Sequence, residues 1–235
     1  MTLIEDLLAS VAGLDAPVTR VCIGLHWTLV ESRTVGIAHT YKTGRKVEVA
    51  DSGALAGRGA RELAARLASW EPLEASLGLA ALNSLIEPAG EAGNVFDEVL
   101  RLAPGRTVTV IGRFPFNGRV AAVAGRAHFL EMDPEPGELP PFAAEEVLPR
   151  SDISVISATA LINHTLPRLL ELARHGTAVV LGPSTPLNDV LLAHGAKLVA
   201  GTRVADREAL FRSVAEGAKS FRRLAGIEPL VRRAR

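Results

Sequence analysis

Residues 152–187, DISVISATALINHTLPRLLELARHGTAVVLGPSTPL, decide the fold. DISVIS and TAVVL are short apolar runs, the form taken by strands buried on both faces. Between them, HTLPRLLELARHG carries leucines at helical spacing. A strand, a helix and a second strand at this spacing make a βαβ unit, whose two strands run parallel. Each strand breaks into small hydroxyl residues, Ser157-Ala158-Thr159 in one case and Gly182-Pro183-Ser184-Thr185 in the other. In open α/β sheets, ligands bind beyond the carboxyl ends of the strands, so these polar turns predict a crevice.

The same alternation extends both ways. Asn94 is placed to cap a helix over VFDEVLRLA, Pro104-Gly105 turns into the strand TVTVIG, and a helix after Asn117 leads to the strand RAHFLEM. The proline-rich loop DPEPGELPP and a short polar helix precede DISVISA, and a helix over PLNDVLLAHG, a strand KLVAG and a helix DREALFRSVAEG follow TAVVLG. The expectation is a Rossmann-like α/β domain over residues 91–235. Upstream, MTLIEDLLASVAGL reads as an amphipathic helix, and VTRVCIGLHWTLVES and VGIAHTY as strand-forming stretches. KTGRKVEV reads as a turn and a further strand, and two helices divided by Glu71-Pro72 follow it. The breaker cluster Glu87-Pro88-Ala89-Gly90 then marks the end of a smaller α+β domain, residues 1–90. The final FRRLAGIEPLVRRAR is locally basic and reads as a solvated face.

Composition narrows the function classes. Hydrophobic residues make up 48% of the 235 but aromatics only 4%, which suits a Val/Leu/Ile/Ala core and disfavours a stacking surface for single-stranded nucleic acid. Lys plus Arg and Asp plus Glu both number 26, so no global field attracts nucleic acid or membrane. The single cysteine, Cys22, rules out a disulfide framework and any CxxC site. The start is acidic, and no apolar run approaches membrane-spanning length. The expectation is a soluble, cytoplasmic protein with a small-molecule ligand, with homodimerisation expected on base rates alone.

Applied to strand ends, the crevice rule selects Gly112 in GRFPFNG, Glu131, Thr159, Asn163, Thr165, Gly182, Ser184 and Thr185. Thr185 fits a helix N-cap and Pro186 the first helical position, so the helix start there would favour an oxyanion; capping alone accounts for the pair equally well. Asn163 and Thr165 carry the same two readings. Glu131 lies 19 residues beyond Gly112, where an acid in dinucleotide-binding folds holds ribose hydroxyls. GRFPFNG is not GxGxxG, however, and Phe114 and Phe116 stand where a pyrophosphate needs bare backbone. The six histidines form no tight ligand pair; His39 in GIAHTY and His164 could face a cleft, while His175 and His194 sit beside glycines at helix ends. No GxSxG elbow supports Ser184 as a nucleophile.

The segments SLGLAALNSLI (76–86), VIGRFPF (110–116), the FLEMDP acid turn, SATALINHTLPRLLELA (157–173), VVLGPSTPL (179–187), LVAGTRVAD (198–206) and the late EGAKSF resemble, in order, the heavy-metal chelation family of bacteria and archaea. The resemblance implies an enolase N-terminal-like domain joined to a Rossmann-like one, with a site between them. By that resemblance Asn83, Gly112, Pro115, Glu131, Asn163, Thr165, Gly182, Ser184 and Thr185 fall on motif positions facing the cleft. The late segment departs from the family's glycine-rich form at Glu216-Gly217-Ala218-Lys219. The family name implies soft ligands, whereas this chain offers one Cys and two Met. The implied cofactor is therefore a metal on oxygen ligands such as Glu131, with His164 as a further candidate, or a metal already held in a chelator. The leading expectation is a protein whose interdomain cleft binds a polar or anionic ligand, a heavy metal or metal chelate among the candidates. The alternative is an enzyme acting on a nucleoside- or chelator-like substrate, with Glu131 as acid or base.

Overall fold

Thr2 and Glu5 start the chain's first helix by capping each other, the Glu5 amide donating to Thr2 Oγ1 at 3.3 Å and the Thr2 amide to Glu5 Oε2 at 2.7 Å. The computed structural model describes residues 2–42, 44 and 47–234. That helix, α1 (Leu3–Ser10), buries Leu3 and Leu7. The VTRVCIGLHWTLVES stretch folds back on itself into β1 (Arg20–Ile23) and β2 (Trp27–Glu31), and β3 (Val35–His39) completes an antiparallel sheet in the order β1-β2-β3. Helices α2 (Ala60–Ala64) and α3 (Pro72–Leu85) follow, with Pro72 in the first turn of α3, where its missing N–H costs nothing.

Alternation along β2 and β3 sends side chains to two different cores. Val30 and Ala38 join the core built with α1, α2 and α3, while Leu29 and Ile37 join Leu210, Phe211 and Val214. The close approach of β3 to α3 requires Gly36: a Cβ there would lie 1.9 Å from the Ala80 carbonyl oxygen and 2.4 Å from the Ser84 nitrogen.

The rest of the chain builds a seven-stranded sheet. In chain order it runs β4 (Glu91–Ala92), α4 (Val95–Leu102), β5 (Thr107–Ile111), α5 (Asn117–Val123), β6 (Arg126–Leu130), α6 (Ala144–Val147), β7 (Ile153–Ser157), α7 (Leu166–Leu172), β8 (Thr177–Leu181), α8 (Val190–Ala193), β9 (Leu198–Val204), α9 (Arg207–Ala215) and β10 (Ile227–Arg233). The order across the sheet is β4-β10-β9-β8-β7-β5-β6. Strands β5 to β9 are parallel, and β10 is antiparallel to both β9 and β4. A small α+β part therefore precedes a Rossmann-like parallel sheet, as expected. Asn94 caps α4 by accepting from the Phe96 amide at 3.1 Å.

Three expectations change. Thr43, Arg45 and Lys46 of KTGRKVEV lie outside the described residues, and residues 47–49 form no strand. The basic carboxyl-terminal run is not simply a solvated face: it contains β10, which buries Leu230 and Val231 and pairs Arg233 with Glu91 and Glu98. No helix begins at Pro186 either. Thr185 turns its hydroxyl back onto the Gly182 carbonyl at 2.8 Å, and the chain reaches helical geometry only at Val190, whose amide donates to Asn188 Oδ1 at 3.1 Å.

The amino-terminal part and the sheet share apolar surface in two places. One core runs from Leu7, Leu67 and Leu82 to Leu130, Ile156, Leu161 and Val180. The second packs β2 and β3 on α9. Among the described residues, no helix is long and apolar enough to cross a membrane.

Candidate functional site

From β5 the chain steps to β6 on one side, then returns to place β7, β8 and β9 in turn on the other. The order reverses between β5 and β7, the switch point at which an open α/β sheet leaves a crevice. Three strand ends meet there. Ile111 is in register with Leu130 and Ile156, and Ser157 with Leu181. Gly112 therefore lies between Glu131 and Ser157, with Gly182 one strand further along.

Gly112 adopts a φ of +115°, a region that favours glycine, and a Cβ there would stand 3.1 Å from both the Ser157 Cβ and the Phe114 ring. Ser157 Oγ and Thr159 Oγ1 are 2.8 Å apart. Gly182, with φ +126°, has open space where a side chain would project. Glu131 is half-buried, and burial pushes its carboxyl above the ordinary value against the opposing pull of Arg113. Asn117, which the strand-end rule does not select, donates to the Gly112 carbonyl at 3.4 Å and keeps a buried Oδ1 with no partner. Its position at the end of GRFPFNG was the available signal. Of the two phenylalanines, Phe116 is buried against Phe96, and Phe114 covers Gly112. Pro115 is exposed on the intervening loop.

Ser184 and Asn83 meet elsewhere, on the free edge of β3. The His39 amide donates to Ser184 Oγ at 2.9 Å, while Asn83 Nδ2 donates to the Ile37 carbonyl at 2.9 Å and the Ser184 carbonyl at 3.0 Å. Ser184 is only 2% exposed and Thr185 4%. Beside them is a cavity of about 20 Å³ lined by Asn83, Pro88, Thr185 and Thr202. One water fits such a space, and the partnerless Asn83 Oδ1 supplies it with an acceptor.

A third group lies at the start of α7. Asn163 Oδ1 accepts from the Thr165 amide at 3.2 Å and its hydroxyl at 2.7 Å. His164, at φ +58°, bonds through Nε2 to the Leu67 carbonyl at 2.8 Å and packs its ring 4.7 Å from that of Trp70.

The donor set does not fit a directly ligated soft metal. Among the described residues no three or more His, Cys, Asp or Glu side chains gather closely enough to hold an ion. Cys22 is half-buried on β1, where burial raises its thiol pKa.

A protein of the DUF364 family from Desulfitobacterium hafniense, its function unknown, is 26% identical and superposes with a TM-score of 0.86, covering 99% of this chain and 98% of its own. A second protein of that family and of unknown function, from Pyrococcus horikoshii, is 20% identical with a TM-score of 0.81 over the same shares, a likeness of fold. No curated protein matches the chain. Residues 4–86 match the DUF4213 family, described as "Putative heavy-metal chelation". Residues 94–226, more than half of the chain, match the DUF364 family, which carries the same description, and the protein belongs to that family.

Proposed function

We propose that the protein binds a small polar or anionic ligand, a metal chelate in the context of its family, in the crevice beside Gly112, Glu131, Thr159 and Gly182. The reading treats residues 1–90 and 91–235 as two domains and the protein as cytosolic. What carries it is the polar row at the switch point: a half-buried carboxyl, two hydroxyls and a buried amide oxygen with no partner, beside two glycines of positive φ. Because the side chains offer no ready-made ligand set, the ligand brings the metal's own donors with it, and the protein recognises the chelator's periphery. Asn83, Ser184 and Thr185 hold the neighbouring wall.

Native mass spectrometry of freshly isolated protein tests this, together with elemental analysis after anaerobic purification. A co-purifying small molecule that is lost in Glu131→Gln or Thr159→Val supports the reading. A ligand retained by both variants sinks it. The raised carboxyl of Glu131 favours a second reading, an enzyme in which that residue donates a proton to a nucleoside- or chelator-like substrate. A Glu131→Gln variant that binds normally but no longer turns a substrate over would select the enzyme.

A further inference from the structure

Many of the described arginines have a carboxylate partner: Arg58 has Asp51 and Glu62, Arg66 has Glu74, Arg168 has Glu145 and Glu171, and Arg203 has Glu228. A basic cluster drawn from three separate segments differs from these. His26 precedes β2, Lys42 lies three residues beyond β3, and Lys219 lies in the loop after α9. The segments are held together by main-chain contacts: the Thr40 amide donates to the His26 carbonyl at 2.9 Å, and the Trp27 indole donates to the Lys219 carbonyl at 3.1 Å. Three rings of the same segments form a row, with Trp27 edge-on to His39 at 5.6 Å and His39 edge-on to Tyr41 at 6.4 Å.

Among the described residues neither lysine has a carboxylate partner. The charges that act on His26 are those of Lys42 and Lys219, and those on His39 are His26 and Lys42; each effect comes after burial and lowers the imidazole pKa. Glu216, the one carboxylate of the 216–219 stretch, figures in neither. Gathering like charges from three segments is unfavourable unless an anion joins them.

We infer that His26, Lys42 and Lys219, beside the Trp27–His39–Tyr41 rings, form a binding site for a small multiply charged oxyanion, a phosphate or a polycarboxylate. The exposed lysine ammonium groups supply the charge, and the half-buried His26 supplies a directional donor or acceptor. This goes beyond the crevice proposed above. The two share only the Ser184 loop, bonded to the His39 amide, and can fail separately.

The test is calorimetric titration of the full chain with inorganic phosphate and, separately, with citrate. It is repeated by fluorescence in a Trp70→Phe background, where Trp27 is the remaining tryptophan. Trp70 is 85% exposed, so its replacement leaves the core intact. Saturable binding of either anion is expected, accompanied by a change in Trp27 emission. Lys42→Ala and Lys219→Ala, both at exposed positions, should each weaken it by about tenfold, and Arg101→Ala, which removes an exposed charge on α4, should leave it unchanged. Tighter binding of phosphate than citrate would assign a phosphate ester, and the reverse a carboxylate. No saturable binding of either anion by the wild-type protein at millimolar concentration, or binding indifferent to both lysine changes, would overturn the inference.

Discussion

At the switch point, Ser157 and Thr159 bond to each other and Asn117 keeps a buried oxygen with no partner. At the edge of β3, Asn83 places both amide hydrogens on main-chain carbonyls, and Ser184 takes an amide from the opposite end of the chain. Both places gather Asn, Ser and Thr side chains, chemically alike in the sequence. Each asparagine keeps an Oδ1 without a partner; what separates the two places is that Asn83 and Ser184 hold main-chain groups on a strand edge distant in the chain. A strand edge leaves amides and carbonyls that must be satisfied once buried, and side chains that satisfy them are no longer available to a ligand. Substitutions at β3 should therefore lower stability, and substitutions at the switch point should lower binding with little change in stability.

The largest effect is expected at Asn83. Asn83→Ala strands the Ile37 and Ser184 carbonyls in a buried seam, at a cost of about 3 kcal/mol, read as a lower urea midpoint with an unchanged slope. A loss below about 1 kcal/mol would mean that water replaces the amide and that the seam is less committed than its geometry implies.

Next comes pH. Burial, followed by the charges of His26 and Lys42, holds His39 at about 4 in the folded protein against 6.5 for the free side chain. The unfolded chain therefore takes up a proton that the folded one refuses. Stability is unaffected above pH 6.5 and falls as pH drops from there towards 4, by about 2 kcal/mol after allowance for partial exposure. His26 and His128, also lowered by burial, act in the same direction. In His39→Gln the main-chain bond to Ser184 survives, so urea unfolding should show a flatter dependence over that window. An unchanged slope would assign the acid sensitivity to other groups.

Ser184→Ala should cost about 1–2 kcal/mol, because it leaves the buried His39 amide without its acceptor. Ser184→Thr keeps a hydroxyl and should recover part of that loss, limited by the crowding around a side chain that is 2% exposed. If Ser184→Ala removed ligand without lowering stability, the division between wall and crevice would have to be redrawn.

Much of this arrangement was legible in the sequence, and where it was not, the reason is physical. The βαβ alternation from Asn94 onward rests on local periodicity and caps, which fold as written. By contrast, β10 carries Pro229 and a basic end, signals of a loop; it becomes a strand because β9 and β4 flank it on both sides. GPSTP has the composition of a helix start, but His39 and Asn83 hold its Ser184, and Thr185 closes the turn on Gly182. That competition comes from residues more than a hundred positions away, beyond the reach of any local signal. Asn163 and Thr165, a similar pair, do sit at a helix start, with Asn163 bonding Thr165. The strand-end rule selects Gly112, Glu131 and Thr159, which lie just beyond β5, β6 and β7, whereas Asn117 escapes it because its unsatisfied oxygen exists only once β5 and α5 are in place.

The smallest effect on stability is expected at Glu131, and its sign is the informative part. Burial raises the Glu131 pKa in the folded protein, so the ionised form is disfavoured relative to the unfolded chain, and the penalty grows as pH rises through the raised value. Glu131→Gln removes the charge and keeps an acceptor. At pH 7 the variant should be as stable as the parent or more so, by a few tenths of a kcal/mol since the group is half-exposed to solvent screening. The gain should vanish in acid, where the parent is itself neutral. The Met132 amide bonded to Glu131 at 3.3 Å would be kept by the glutamine oxygen, so a variant at least as stable as the parent fits a residue kept for a ligand at some expense in stability. If Glu131→Gln were instead destabilised by more than about 1 kcal/mol at pH 7, Arg113 would have to be its structural partner, and the switch point would belong with the β3 edge as part of the scaffold.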